Sequence, residues 1–282
     1  MILSYHPCFV GDENRLCAGR QPDESDHTII SRADAVILPQ GVYQRLYEMA
    51  GEACPHVFPN YAARFHYPGK SGQIRLFRKT RAPHPETRIF KNISEYPANR
   101  SGLQLPPEFS YPCVFKFDWG GEGDNILLLN CRADLSNALE TAGRYEITGQ
   151  QGFLIQSFVP SGNRTLRVVI IGQKMVSYWK IQEDPNNVCA GLAKGARIDP
   201  DSAPDFQTAG REMVAAFCRK TGINLAGFDL LFPEGKAPQH GLFLEINYFF
   251  GRKGLGGSER FYQCLVHEIF SWLDRRGLSF IK

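Results

Sequence analysis

Two apolar segments near the carboxyl end of the chain each carry an acidic residue between hydrophobic neighbours. Residues 227–231 contain Asp229, and residues 243–247 contain Glu245. A turn-forming sequence, Pro-Glu-Gly-Lys at 233–236, lies between them, so the two segments are predicted to form an antiparallel hairpin. A carboxylate flanked by apolar strand residues is costly without a partner. Together the two acids favour a fold in which a sheet directs acidic side chains into a site.

Alternation of side chains along a strand predicts which residues share that site. Glu245 and Asn247 project from one face, whereas Leu244 and Ile246 face the opposite, apolar side. With Asp229 on the neighbouring strand, the oxygen atoms can converge on a divalent cation, for which Mg²⁺ is the first candidate and Mn²⁺ the second. The alternative is that these acids have ordinary surface or salt-bridge roles.

A lysine and a group of glycines suggest a second functional element. Lys116 lies in the apolar segment 113–117, and Gly120, Gly121 and Gly123 follow it. Glycines allow backbone N–H groups to surround an anion, and a lysine beside them can contact a phosphate. A simple hairpin turn is the alternative for the glycines.

The remaining pattern predicts an α+β (α/β) protein. The first sixty residues alternate strand, helix and strand, which indicates a small parallel unit. One helix is predicted at 208–221, with Thr208 and Gly222 as its caps. Another is predicted around the apolar positions 261, 265, 269 and 273. After residue 112 the sheets are predicted to be mixed and largely antiparallel, with strands at 113–117, 126–129, 153–159, 166–171, 175–179, 228–232 and 242–246.

Composition and charge argue against several classes of protein. A net charge of +3 and a pI of about 8.4 are too mild to indicate nucleic-acid binding. No apolar run approaches the ~20 residues of a membrane span, and no signal peptide is apparent, so a cytoplasmic protein without membrane partners is expected. The eight cysteines form no CxxC pair and are expected to be reduced thiols. Association of this chain with further copies of itself, as a homo-oligomer, is left open.

The order of these motifs resembles the ATP-grasp superfamily, in particular the ligases that add glutamate to ribosomal protein and the glutathione-synthetase-like carboxylate–amine ligases. The resemblance covers roughly residues 68–275. It implies an ATP-grasp domain at 69–282, in which two α+β subdomains at 69–155 and 156–282 clasp ATP. A small Rossmann-like domain at 1–68 is expected to precede it.

The resemblance also implies roles for individual residues. The phosphate-binding lysines would be Lys70, which precedes the Pro-x-Thr segment at 85–87, and Lys116, with the glycines 120, 121 and 123 as a phosphate lid. Arg167 would be the transition-state arginine. The hinge that contacts adenine would comprise Gln156, Ser157, Phe158 and Val159. Further nucleotide contacts would come from Asn187 and Lys194. The metal ligands would be Asp229, Glu245 and Asn247.

The implied activity is ATP-dependent ligation of a small-molecule or peptide carboxylate to an amine or related nucleophile through an acylphosphate. A kinase that phosphorylates a small-molecule hydroxyl and a non-catalytic nucleotide-binding domain are the alternatives. Arg252 and Lys253 are candidates for a second anionic group of the substrate, or a solvated basic turn. Residues 248–254 differ from the family's usual small-residue loop, which bears on substrate identity.

Aromatic and basic residues offer further substrate contacts. The aromatic stretches 58–61 and 248–250 line a pocket for a ring-bearing substrate or, alternatively, pack in the core. Arg15, Arg20 and Arg64 of the first domain are candidates for the acceptor site, with a surface location as the alternative.

Overall fold

The computed structural model describes residues 1–17, 19–97, 104–120, 125–184 and 195–278. Within these residues the strands form three sheets, two of four strands and one of five. The described cysteines are unpaired thiols. Among the described helices, none has the length and apolar character required to cross a bilayer.

The first sheet is wholly parallel, as the alternation of strand and helix predicts. In chain order its elements are β1 (Ile2–Ser4), β2 (Glu13–Asn14), α1 (Glu24–Ile30), β3 (Ala35–Ile37), α2 (Gln44–Ala53) and β4 (Val57–Phe58). The strand order is β2-β1-β3-β4. Helices α1 and α2 carry the chain back from β2 to β3 and from β3 to β4, which a short turn cannot do, and residues 5–12 join β1 to β2 without a helix.

The second sheet is antiparallel and contains the lysine-bearing strand. Two helices, α3 (Ala62–His66) and α4 (Gly69–Thr80), lead into it. Its elements are β5 (Thr87–Phe90), β6 (Cys113–Phe117), β7 (Ile126–Leu129), α5 (Arg132–Ile147) and β8 (Phe153–Ser157). The strand order is β5-β8-β6-β7, and the rings of Phe115 and Phe153 stack in its core with their centroids 4.7 Å apart.

The third sheet contains the predicted acidic hairpin. Its elements are β9 (Arg164–Ile171), β10 (Lys174–Ile181), β11 (Arg197–Asp199), α6 (Pro204–Thr221), β12 (Leu225–Leu231), β13 (Leu242–Asn247) and α7 (Ser258–Asp274). The strand order is β11-β10-β9-β12-β13, and each neighbouring pair is antiparallel. Short 3₁₀ turns flank β13 at Pro238–His240 and Lys253–Leu255, and another lies between β5 and β6 at Ile93–Glu95.

Two hydrophobic cores hold these layers together. One runs continuously through the first and third sheets, and the other fills the second sheet and α5. Helix α4 belongs to the first of these cores, because Phe77 contacts Phe217 at 5.8 Å and Phe243 at 5.5 Å between ring centroids. The predicted domain boundaries after residues 68 and 155 stay predictions.

Helix α6 corrects one prediction about the chain. It begins at Pro204 rather than at Thr208, because Ala203 adopts a positive φ of 48° and a proline at the first helical position needs no N–H partner. Thr208 therefore lies inside the helix and does not cap it. The predicted end is confirmed, since Gly222 has a φ of 75° in the left-handed region.

Candidate active site

Four strands of the third sheet place polar side chains in one row. Tyr178 of β10 lies opposite Arg167 of β9, which lies opposite Asp229 of β12, and Asp229 lies opposite Glu245 of β13. Residues directly opposite each other in antiparallel strands project from the same face. The row therefore points to one side of the sheet, and Asn247 follows Glu245 on that same face.

Asp229 is the centre of a buried charge cluster. Its oxygen atoms accept hydrogen bonds from Nε and Nη2 of Arg167 at 2.6 and 2.9 Å, and Lys180 Nζ lies 3.0 Å from Oδ1. All three residues are less than 10% exposed. Burial alone raises the pKa of the Asp229 carboxyl, but the charges of Arg167 and Lys180 outweigh it and hold that pKa well below its usual range.

The two basic partners respond differently to burial. Burial lowers the pKa of the Lys180 ammonium, and the attraction of Asp229 restores only part of it. For Arg167 burial also lowers the pKa, but the charge and hydrogen bonds of Asp229 raise it above its ordinary value. One carboxylate thus holds two cations in place, and the bidentate arginine is the better stabilised of the two.

Glu245 and Asn247 carry the oxygen atoms best suited to a divalent cation. The Asn247 side-chain Nδ2 donates to Asp229 Oδ2 at 3.3 Å, so its amide oxygen points elsewhere. In the described part of the chain neither that oxygen nor the Glu245 carboxylate accepts a hydrogen bond. Carboxylate and amide oxygens side by side fit Mg²⁺, whereas Asp229 would have to share its oxygens with Lys180 or Arg167.

A β-bulge corrects the predicted orientation of Leu244. The register runs from Asp229 opposite Glu245 to Leu230 opposite Phe243, so Leu244 is an extra residue in β13. Leu244 consequently lines the same cavity as Glu245, although strict alternation predicts the opposite face. The prediction for Ile246 is confirmed, because that side chain is buried in the core.

The second sheet contributes a chain of hydrogen bonds that ends on a lysine. Lys116 Nζ donates to Gln156 Oε1 at 2.7 Å, and Gln156 Nε2 donates to the Thr87 hydroxyl at 2.8 Å. The Thr87 hydroxyl in turn donates to the carbonyl oxygen of Pro85 at 2.7 Å. Thr87, Lys116 and Gln156 are all buried. The glutamine side chain therefore orients the ammonium group, a role that its sequence position did not indicate.

A cavity of about 440 Å³ lies between the second and third sheets. Its lining combines cations, carboxylates and apolar side chains, as is typical of sites that bind a polar ligand with an apolar part. It brings together nine of the predicted site residues, namely Lys116, Gln156, Ser157, Phe158, Val159, Arg167, Asp229, Glu245 and Asn247.

Lys70 lies beside this cavity rather than in its lining. Its Nζ donates to the carbonyl oxygens of Trp119 and Gly120, at 3.2 and 3.0 Å. Burial lowers the pKa of Lys70, and the charges of Glu245 and Asp118 offset part of that shift. The predicted lysine and the start of the predicted glycine loop are thus in direct contact.

Helix α4 is attached to the acidic strand at the same place. The side chain of Gln73 accepts from the backbone N–H of Ile246 and donates to its carbonyl oxygen, both at 2.8 Å. These two bonds occupy the exposed edge of β13 next to Glu245. They set the position of α4, and with it that of Lys70, relative to the acidic side chains.

Other predicted residues lie elsewhere. Arg252 covers the rings of Phe261 and Tyr262 at 4.7 and 4.4 Å, and neither Arg252 nor Lys253 lines the cavity. Their predicted contact with the substrate stays a prediction. The predicted contacts of Gly121, Gly123, Asn187 and Lys194 fall outside the described residues.

The structure adds residues that the sequence analysis missed. Lys180 and Tyr178 line the cavity beside Arg167, and Glu234 lines it near the hinge, where its Oε1 accepts from the N–H of Gly162 at 2.7 Å. Lys180 had a usable signal, since it is a charge between Trp179 and Ile181 in an apolar strand. A charge between apolar strand residues is costly without a partner, and this marks Lys180 in the same way as Asp229 and Glu245.

The second and third sheets face each other across the cavity. Both sheets carry basic side chains there, and the third also carries carboxylates. This is the arrangement of an ATP-grasp protein. The chain belongs to the RimK-like ATP-grasp domain family, whose model matches residues 70–261. That match confirms the superfamily resemblance seen in the motifs.

Individual relatives have low sequence identity to this chain. A probable alpha-L-glutamate ligase 1 of Hahella chejuensis is 24% identical over 168 residues, which are 59% of this chain and 51% of that protein. The match thus spans about half the length of this curated relative.

Solved structures share the fold. A RimK domain ATP-grasp protein from Sphaerobacter thermophilus superposes with a TM-score of 0.62 at 14% identity, over 95% of this chain and 98% of the other. The D-alanine–D-alanine ligase of Bacillus anthracis, crystallised with ATP, has a TM-score of 0.62 at 12% identity, over 95% and 89%.

Proposed function

We propose that this chain is an ATP-dependent carboxylate–amine ligase that acts through an acylphosphate. The observation that carries the proposal is the cavity itself, in which Lys116 on one sheet faces Arg167, Lys180 and Glu245 on the other. Phosphoryl transfer requires positioning and neutralisation of charge more than covalent help from the protein. Buried cations and metal-binding oxygens on opposite walls suit that requirement.

The nucleotide is proposed to lie with its base against the hinge. Residues 156–159 provide backbone groups there, and apolar side chains from both sheets surround them. Lys116 and Lys70 would then reach the phosphates, with Gly120 at the start of the lid. The apolar side chains that surround the hinge are Val114, Ile126, Leu231 and Leu244.

The γ-phosphate end is proposed to lie over the row of polar side chains. Glu245 and Asn247 would hold Mg²⁺, with Asp229 as the third predicted ligand. When bound, the ion would neutralise charge on the phosphate oxygens. Among the described residues, Arg167 uses Nε and Nη2 for Asp229 and none accepts a hydrogen bond from Nη1, so its guanidinium can bind the transferring phosphoryl group and the acyl oxygen.

The proposed reaction has two steps. A carboxylate oxygen of the substrate attacks the γ-phosphorus, the new P–O bond forms, and the bond to the β-phosphate oxygen breaks to release ADP. The amine then attacks the acyl carbon and the C–N bond forms, inorganic phosphate leaves with the electron pair of the C–O bond, and the proton lost by the nitrogen ends on that phosphate. The name of the Hahella relative favours an amino acid as one substrate, and a cytoplasmic location would supply the ATP.

Trapping with hydroxylamine tests this proposal. The protein is incubated with ATP, Mg²⁺ and a pool of carboxylates, and both ADP and hydroxamate are followed. We expect ADP and hydroxamate to appear together and to be lost in Glu245→Gln, with the melting temperature preserved. Glu108→Gln, in an ion pair with Arg88 outside the cavity, is the matched control and should retain activity. ADP formation with no hydroxamate would indicate a kinase instead.

A further inference from the structure

Phe249 is an exposed aromatic side chain in the wall of the cavity. It is 61% exposed, whereas its neighbours Tyr248 and Phe250 are each 9% exposed. Tyr248 packs against Tyr61 and Phe250 against Phe261, so both rings contribute to the core, and Phe250 also borders the cavity. Core packing therefore explains most of the aromatic segments at 58–61 and 248–250, but it does not explain Phe249.

The ring of Phe249 is held in place. The Arg64 guanidinium carbon lies 4.9 Å from the ring centroid. The ring edge also lies close to Gly41, since a Cβ added at that glycine would be 3.9 Å from it. Arg64 is itself fixed, because its Nη1 donates to the carbonyl oxygen of Gln40 at 2.8 Å and its guanidinium contacts the ring of Phe65. A single exposed apolar ring is common on protein surfaces, but this ring is oriented and lines a cavity, and ligand-binding cavities are lined mainly by apolar and aromatic side chains.

Phe249 lies at the opposite end of the cavity from the hinge. Strand pairing sets the order of the lining residues, because Leu230 lies opposite Leu166 near the start of β9 and opposite Phe243, whereas Gly227 lies opposite Val169 and Asn247, farther from the hinge. The lining therefore continues from Leu244 through Glu245 and Asn247 to Phe249, away from the hinge. Strand residues advance by about 3.4 Å each, so Asn247 lies roughly 7 Å beyond Glu245. The nucleotide base and Phe249 are thus on opposite sides of the charged centre where the reaction would occur.

We infer that Phe249 stacks on an aromatic or flat apolar group of the carboxylate substrate and selects for it. This inference rests on the proposed function, because it assigns the substrate end of the same cavity. A ring stacked on Phe249 would cover the face that Arg64 leaves open, and aromatic pairs favour such contact over water. Arg64 is a positioning residue, since it orients Phe249.

Three simple carboxylates serve as probes. 3-Phenylpropanoate carries an aromatic ring, 3-cyclohexylpropanoate carries a saturated ring of similar size, and glutarate carries a second carboxylate. Binding is measured by saturation-transfer NMR in the presence of ADP and Mg²⁺, and ADP affinity is measured separately by calorimetry. The comparison separates stacking on a ring from burial of apolar surface and from charge.

We expect 3-phenylpropanoate to bind at least tenfold more tightly than glutarate, with 3-cyclohexylpropanoate between them. Phe249→Ala should weaken 3-phenylpropanoate about tenfold and Phe249→Leu about fivefold, while Phe249→Tyr retains binding. ADP affinity should be unchanged in all three. Ile147→Ala, at an 87% exposed position outside the cavity, is the control and should change nothing.

Equal affinities for the ring probes in the wild type and Phe249→Ala would overturn the inference. The inference would also be overturned if the wild type bound glutarate most tightly and Arg64→Met removed that preference. Arg64 would then bind a second carboxylate of the substrate at this end of the cavity. Failure of the proposed function has a different signature, namely no ADP binding or no hydroxamate with any carboxylate. The ring-dependent binding can be measured in either case.

Discussion

Arg167 and Asp229 lie directly opposite each other on neighbouring antiparallel strands and form a bidentate ion pair at 2.6 and 2.9 Å. Lys180 joins the pair at 3.0 Å from the same carboxylate. Two buried cations thus depend on one anion. The site that is proposed to bind phosphate is therefore also a site on which the stability of the third sheet depends.

Removing that anion should destabilise the protein. In Asp229→Asn, Arg167 and Lys180 stay buried without a counter-charge, which costs about 3–5 kcal/mol in comparable buried pairs. Urea unfolding at neutral pH measures the loss. Glu108→Gln removes one partner of an exposed pair with Arg88 and should cost less than about 1 kcal/mol. A similar loss in the two variants would contradict the buried cluster.

His6 should make the stability depend on pH. Burial, followed by the charge of Arg252, lowers the pKa of the His6 imidazole to about 4. In the unfolded chain its pKa is about 6.5, so between those values the unfolded state binds more protons and stability rises with pH. We expect a loss on the order of 2–3 kcal/mol as the pH falls from about 6.5 to 4.

The free energy of unfolding measured across that pH range tests the prediction. His6→Gln should remove most of the slope, because the replacement does not titrate. His27, which is exposed on α1, provides the control, and His27→Gln should keep the wild-type slope. A slope that survives in His6→Gln would assign the dependence to other groups.

Gly227 should be required for the position of Arg167. A Cβ built on Gly227 would lie 3.1 Å from Arg167 Nη1 and 3.2 Å from Phe250 Cβ. Gly227→Ala therefore displaces the guanidinium, and misplacement by about 1 Å can cost 10²-fold in rate. We expect kcat to fall 10- to 100-fold with little change in the KM for ATP. Gly143→Ala on α5, where a Cβ meets no atom within 4 Å, should leave kcat unchanged.

The hydrogen bonds behind Lys116 should matter for nucleotide affinity. Thr87→Val keeps the shape of the side chain but leaves Gln156 Nε2 without its acceptor, which costs about 1–3 kcal/mol when the group is buried. Because Gln156 orients Lys116, we expect ATP affinity to fall about fivefold. Calorimetric titration measures it, with Thr28→Val on the surface of α1 as the control. Unchanged affinity would limit this chain of bonds to a structural role.

Much of the site was predictable because strand periodicity is a local property. Glu245 and Asn247 alternate with apolar residues, and the short turn after residue 232 predicts the hairpin that brings them to Asp229. The bulge at Leu244 was not predictable, because alternation alone contains no information about an extra residue in one strand. Lys180 was missed although its apolar neighbours carried the same signal.

The order of motifs along the chain was sufficient for the superfamily, the hairpin and most of the cavity's charged residues. Only the tertiary structure decided which groups pair, because those contacts join distant parts of the chain: Lys116 with Gln156 across 40 residues and Gln73 with Ile246 across 173. It also decided that Phe249 presents an exposed ring to the cavity, whereas Tyr248 is buried in the core and Phe250 is buried where the core borders the cavity. Alternation defines two faces of a segment, but packing against the other sheets determines which of them meets solvent.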